Sequence, residues 1–87
     1  MIAAKEARNK VLQNVMEDEE FKKLIDHINK EVEYEVNHCN LSGDIFINHT
    51  LPFILTEALK TYYTDLGYNF DYRANYQTET CNIYLKW

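Results

Sequence analysis

Apolar residues in the first 36 positions recur at intervals of three and four, which is the spacing of a helix with one buried face. Two sets follow this spacing: Ala4, Ala7, Val11 and Val15, and then Phe21, Leu24, Ile25, Ile28 and Val32. Asn14 and Asp18 stand where the stripe would continue between the two sets. The pattern predicts either one long helix whose buried face rotates near residues 14–20, or two helices that meet there, with Asp18 as the N-cap of the second.

The length of this helical segment bears on self-association. A single helix of about 33 residues would be roughly 50 Å long at 1.5 Å per residue. It would extend beyond a domain built from a chain of 87 residues, and its apolar stripe would need a partner. The sequence therefore predicts a homo-oligomer.

The second half of the chain opens with a strand and a helix. After a turn at residues 37–43, residues 44–48 alternate between apolar and polar positions and predict a short strand. Thr50 is predicted to cap the next helix, with Pro52 in its first turn. An apolar stripe continues to Leu66, and Gly67 follows at the position where a left-handed residue ends a helix.

Residues 68–76 and 81–87 alternate again on either side of a short polar stretch, which predicts a hairpin. The expected fold is α+β: a single domain, 1–87, with a helical arm at 1–36 and a βαββ unit at 43–87. Helices would cover one face of a three-stranded sheet. The residues expected on that covered face are Ile45, Ile47, Phe70, Tyr72, Ala74, Cys81, Ile83, Leu85 and Trp87.

The opposite face of this sheet is predicted to be open. It would carry Asp44, Phe46, Asn48, Asp71, Arg73, Asn75, Asn82, Tyr84 and Lys86. Aromatic rings stack on bases, cations hold phosphates and amides read base edges. The set therefore suggests a nucleotide-like ligand, with Arg73 and Lys86 on phosphate, Phe46 and Tyr84 on a base, and Asn48 and Asn75 as further contacts. The alternative is that a second subunit, or part of the N-terminal helix, covers this face.

Composition narrows the classes of function. The net charge of −5 and the absence of a cation stripe argue against duplex DNA as a partner. Two glycines are too few for a glycine-rich phosphate loop. The chain shows neither an apolar run long enough to cross a membrane nor a signal-peptide pattern, so we expect a cytoplasmic protein.

Catalytic and metal-binding patterns are not apparent. His27, His38 and His49 fit no common zinc spacing, and we expect each to be a surface or partly buried histidine. Cys39 and Cys81 lack paired spacing and are expected to be buried free thiols. We therefore expect no enzyme activity, no metal and no cofactor.

Three short segments carry a resemblance: "IAAKEAR" at residues 2–8, "LGY" at 66–68, and the closing "IYLKW" at 83–87. Together they resemble a loose group of small tailed-phage proteins that open on such a segment and end with an aromatic hairpin closing on tryptophan. The group has no established activity, so no residue role is carried over.

The resemblance implies a phage accessory factor acting in the host cell. Some such proteins bind host defence enzymes, and others sequester the nucleotide signals of defence systems as oligomers. We expect a binding protein of the second kind, acting against host defence. The alternative is a protein–protein inhibitor of a host enzyme, or a small structural adaptor with no small ligand.

Overall fold

The computed structural model describes residues 3–87 and has an α+β fold, as expected. Three helices and three strands follow one another in these bounds: α1 Ala4–Met16, α2 Glu19–Asn37, β1 Ser42–Ile47, α3 Phe53–Asp65, β2 Asn69–Asn75 and β3 Thr80–Lys86. Ile2, which opens the N-terminal segment of the phage resemblance, lies outside the described residues.

The N-terminal region forms two helices, so the second of the two alternatives is confirmed. The break falls at Glu17 and Asp18, where the Asp18 backbone is extended and its Oδ1 accepts a hydrogen bond of 2.8 Å from the Glu20 N–H. α1 then packs against α3, and Arg8 Nη2 lies 3.2 Å from Glu57 Oε2. The chain itself therefore supplies a partner for α1, and a projecting helix no longer supports self-association.

The start of α3 differs from the prediction. Thr50 does not cap this helix: α3 begins at Phe53, and Pro52 occupies the N-cap position without a side-chain hydrogen bond. Leu51 explains the shift, because its side chain is buried and its N–H donates to the Tyr72 hydroxyl at 3.2 Å. A residue before proline also avoids the helical conformation. At the other end Gly67 has φ +95°, which confirms the predicted left-handed stop.

The three strands form one antiparallel sheet in the order β1-β3-β2. The hairpin strand β3 lies in the centre, where its inward residues Cys81, Ile83 and Leu85 are all buried. α2 packs against β1 and α3 against β2. Within residues 3–87 the opposite sheet face has no helix on it, and its residues Asp44, Phe46, Arg73 and Tyr84 are exposed. β1 and β2 are the two edge strands.

One hydrophobic core joins the helices to the sheet, so the predicted arm at 1–36 shares the core of the βαββ unit. Its buried residues are Leu12, Phe21, Leu24, Ile28, Val32, Ile45, Ile47, Leu51, Leu55, Ala58, Leu59, Tyr63, Cys81, Ile83 and Leu85. β2 differs from the other strands, because its inward residues Phe70, Tyr72 and Ala74 are only half-buried.

Trp87 follows β3 and is half-buried against the core. The backbone N–H of Trp87 donates to the Leu41 carbonyl at 3.0 Å. The indole ring lies edge-on to the Tyr68 ring, with the ring centroids 6.0 Å apart. A Cβ added at Gly43 would lie 3.5 Å from the indole, an ordinary van der Waals distance, so the ring lies beside Gly43 with room for a methyl group between them. The covered face thus has the predicted composition.

Among residues 3–87, no helix has the length and apolar character needed to cross a lipid bilayer.

Candidate functional site

The open face of the sheet is arranged in rows across the three strands. In one row Tyr84 of β3 lies between Asp44 of β1 and Asp71 of β2. In the next row Asn82 lies between Phe46 and Arg73. Phe46 is 58% exposed and Tyr84 is 37% exposed, so both rings are accessible to a ligand.

Several polar groups on this face are bound to one another. Arg73 Nε lies 3.1 Å from Asp71 Oδ2, and the Arg73 guanidinium carbon is 5.4 Å from the centre of the Tyr84 ring. Asn82 Nδ2 donates to Asp44 Oδ1 at 2.7 Å. Arg73 therefore has an anionic partner and an aromatic partner before any ligand arrives.

Two of the predicted ligand residues, Asn48 and Asn75, lie away from the centre of the open face. Asn75 Oδ1 accepts hydrogen bonds from the Gln77 and Thr78 N–H groups at 3.1 and 3.4 Å, which fixes the turn between β2 and β3. Asn48 lies one residue beyond the end of β1. Neither amide lies in the rows that contain Tyr84 and Arg73.

The structure separates the two cations that were expected to share a phosphate. Lys86 pairs in register with Asn69, four residues before Arg73 on β2. At about 3.3 Å per residue, the two positions lie roughly 13 Å apart along the strand. The row containing Asp44 and Asp71 lies between them, so one phosphate group could not contact both cations without facing two carboxylates.

Four of the predicted ligand residues line two concavities on the protein surface. The first, the acidic concavity, has a volume of about 480 Å³ and includes Tyr84 and Lys86. Its charged lining consists of Glu35, Asp44 and Asp71 against the single ammonium of Lys86. An excess of carboxylates around an aromatic ring disfavours anions and favours cationic groups.

The second concavity, the edge groove, lies between α2 and the free edge of β1 and has a volume of about 530 Å³. Its lining consists of Glu20, Lys23, Leu24, His27, Phe46, Ile47, Asn48 and His49. Phe46 and Asn48 thus share this groove with one lysine, two histidines and one glutamate. Among the ion pairs within residues 3–87, none involves Lys23.

The sequence interpretation missed Lys23, His27 and His49 as members of a common site. A local signal existed for the first two, because residues four apart lie on the same side of a helix. His49 follows the strand that carries Phe46, but only the packing of α2 against β1 brings it to the same groove.

Histidines and cysteines form no further site in the described part of the chain. Within residues 3–87 no group of three His, Cys, Asp or Glu side chains is arranged to hold a metal ion. Cys81 is buried, as expected, and its thiol donates to the His49 carbonyl at 3.2 Å. The same expectation is wrong for Cys39, which is exposed.

Comparisons with known proteins give no relative. No protein-family model matches the chain, and neither a curated protein nor a solved structure resembles it significantly.

Proposed function

We propose that this protein binds a small nucleotide-like anion in the edge groove. The observation that carries the proposal is that Phe46 and Asn48 share one concavity with Lys23, His27 and His49. In the setting implied by the phage resemblance, the protein would be an accessory factor that sequesters a nucleotide signal of host defence.

The chemistry of the groove matches the three parts of such a ligand. The exposed Phe46 ring offers a stacking surface for a base, and the Asn48 amide offers a donor and an acceptor. Lys23 offers a charge-assisted donor to phosphate and His27 offers a ring N–H, whereas His49 Nδ1 already donates to the Thr50 carbonyl at 3.1 Å. The volume of about 530 Å³ falls within the range of small-molecule sites.

Charge supports the groove over the centre of the open face. The whole chain carries a net charge of −5 with its histidines counted as neutral, and on the same count the groove lining is balanced, with Lys23 against Glu20 and two imidazoles beside them. The centre of the open face has Asp44 and Asp71 on either side of Tyr84. Arg73 is paired with Asp71, but Asp44 still gives this row a net negative charge, so an anion is repelled less in the groove than in the row that contains Tyr84.

The direct test is titration calorimetry with the adenosine, guanosine, cytidine and uridine monophosphates, with inorganic phosphate as a probe for the anion alone. We expect at least one nucleotide to bind more tightly than phosphate. Lys23→Glu should weaken that binding about tenfold or more, because it replaces a charge-assisted donor with a like charge.

Lys22→Glu is the matched control, because Lys22 is an exposed neighbour on α2 that does not line the groove. It should leave nucleotide affinity within about twofold, since Lys22 does not line the groove and solvent and salt screen its charge over the longer distance to the ligand. Failure of all four nucleotides to bind, or equal effects of Lys22→Glu and Lys23→Glu, would overturn the proposal. Arg73→Glu, on the open face, should leave binding intact.

A second candidate function is inhibition of a host enzyme or a role as a structural adaptor, and the acidic concavity favours it. Glu35, Asp44 and Asp71, which line this concavity together with Tyr84, suit a lysine or arginine presented by a basic protein surface. In a host-lysate pull-down, Asp44→Lys should then lose a captured protein that Asp65→Lys, an exposed control on α3, retains. Retention by both variants would argue against this function.

A further inference from the structure

The β2 edge of the sheet lacks the cover that the rest of the sheet has. Its inward residues Phe70, Tyr72 and Ala74 are half-buried, whereas those of β3 are fully buried. Phe53 and Tyr76, which are 77% and 80% exposed, line a groove of about 350 Å³ along this edge. Exposed aromatic rings beside an unpaired strand edge are typical of a surface that pairs with another chain.

The sequence of β2 is complementary to itself. The strand reads Asn-Phe-Asp-Tyr-Arg-Ala-Asn from Asn69 to Asn75, with Tyr72 at its centre. In an antiparallel pair about a two-fold axis at Tyr72, residues at equal distances from the centre stand opposite one another. Asp71 then faces Arg73 of the second copy, and Arg73 faces Asp71 of the second copy.

We propose that a second copy of this chain pairs with β2 and forms a continuous six-stranded antiparallel sheet. The two Asp–Arg pairs would lie on the open face, where opposite charges on adjacent strands attract. Phe70 would stand opposite Ala74 of the second copy on the helix side, so a large ring meets a small side chain. The exposed Phe53 and Tyr76 rings would come to lie at the interface.

The other edge strand does not offer this complementarity. β1 reads Ser-Gly-Asp-Ile-Phe-Ile and contains Asp44 but no basic residue. An axis at Ile45 would set Asp44 against Phe46 of the second copy, with no ion pair. Pairing at β2 also leaves the edge groove of each copy open, because that groove lies at the opposite edge of the sheet.

Sedimentation velocity over a hundredfold range of protein concentration, with a reductant for Cys39, tests the pairing. We expect the natural chain to form dimers as concentration rises. Arg73→Asp sets four carboxylates against one another and should weaken dimerisation roughly ten- to a hundredfold. Asp71→Arg should have the same effect through four guanidinium groups.

Two combinations of these substitutions distinguish charge pairing from a loss of folding. An equimolar mixture of the Arg73→Asp and Asp71→Arg chains should form heterodimers, and the chain with both substitutions should again form homodimers. Lys86→Asp, the same charge change at the end of the central strand, should leave dimerisation unchanged. Circular dichroism of each variant would verify that it folds.

A natural chain that remains monomeric at all concentrations would overturn the proposal. So would a dimer that Arg73→Asp leaves intact, or folded single variants whose mixture associates no better than either alone. None of these outcomes depends on nucleotide binding, so the dimer and the edge groove can fail separately.

Discussion

Tyr63 provides a stability prediction that depends on pH. The side chain is 1% exposed in the centre of the core, and its hydroxyl donates to Asn29 Oδ1 at 3.0 Å. Burial raises the pKa of the Tyr63 phenol, and the neighbouring Tyr62 and Tyr68 add to the effect. Tyr63→Phe removes the hydroxyl and its titration but keeps the ring.

The difference in unfolding free energy between Tyr63→Phe and the natural chain should change sign with pH. At neutral pH the variant should lose about 1 kcal/mol of unfolding free energy, the net value of one hydrogen bond. Because the folded-state pKa of Tyr63 lies above its value of about 10 in the unfolded chain, stability from the neutral phenol is complete below pH 10 and is lost as pH rises further. The loss approaches about 1.4 kcal/mol per pH unit, so the two proteins should become equally stable near pH 11.

Urea unfolding followed by circular dichroism at pH 7, 9, 10 and 11 measures this crossing. Burial also raises the pKa values of Tyr72 and Cys81, but both groups are present in both proteins, so their contributions cancel in the difference. Tyr34→Phe is the control, because Tyr34 is 57% exposed on α2 and lies outside both the edge groove and the proposed dimer interface, and it should change stability little at any pH. A constant difference between Tyr63→Phe and the natural chain from pH 7 to 11 would refute the reasoning.

Two further substitutions test local contacts through urea unfolding at pH 7. Trp87→Ala should lower the unfolding free energy by about 2 kcal/mol, less than for a fully buried tryptophan, because the ring is half-buried against Gly43 and Tyr68; a loss under 0.5 kcal/mol would show that the ring does not anchor this end of the sheet. Asp18→Ala should cost about 1 kcal/mol by removing the N-cap of α2, whereas Asp18→Asn should retain most of it; equal losses would argue against the cap.

Local chemistry made part of the fold predictable from sequence. Asp18 and Gly67 act within a few residues of their own positions, one by accepting a backbone N–H and the other by adopting a positive φ. The alternation of residues 81–87 is equally local, and it correctly identified Cys81, Ile83 and Leu85 as inward residues.

Contacts between distant parts of the chain decided what sequence reasoning missed. Thr50 had the right residue type for a cap, but the Tyr72 hydroxyl, 21 positions beyond Leu51, holds the segment before α3. The charge around the candidate site also depends on a long-range feature, the order of the strands in the sheet. Placing β3 between β1 and β2 set Asp44 and Asp71 on either side of Tyr84, which no pattern within one strand could reveal.

The strand order also gives the two edges of the sheet different chemistry. At the β1 edge, α2 brings Lys23 and His27 beside an accessible ring and forms the concavity that we propose holds an anion. At the β2 edge, Asp71 and Arg73 have opposite charges on the same face, and the exposed rings lie on the helix side. Because a ligand at one edge and a second copy at the other would not compete for the same backbone groups, dimerisation and ligand binding can be measured independently, and a variant at one edge serves as the folded control for the other.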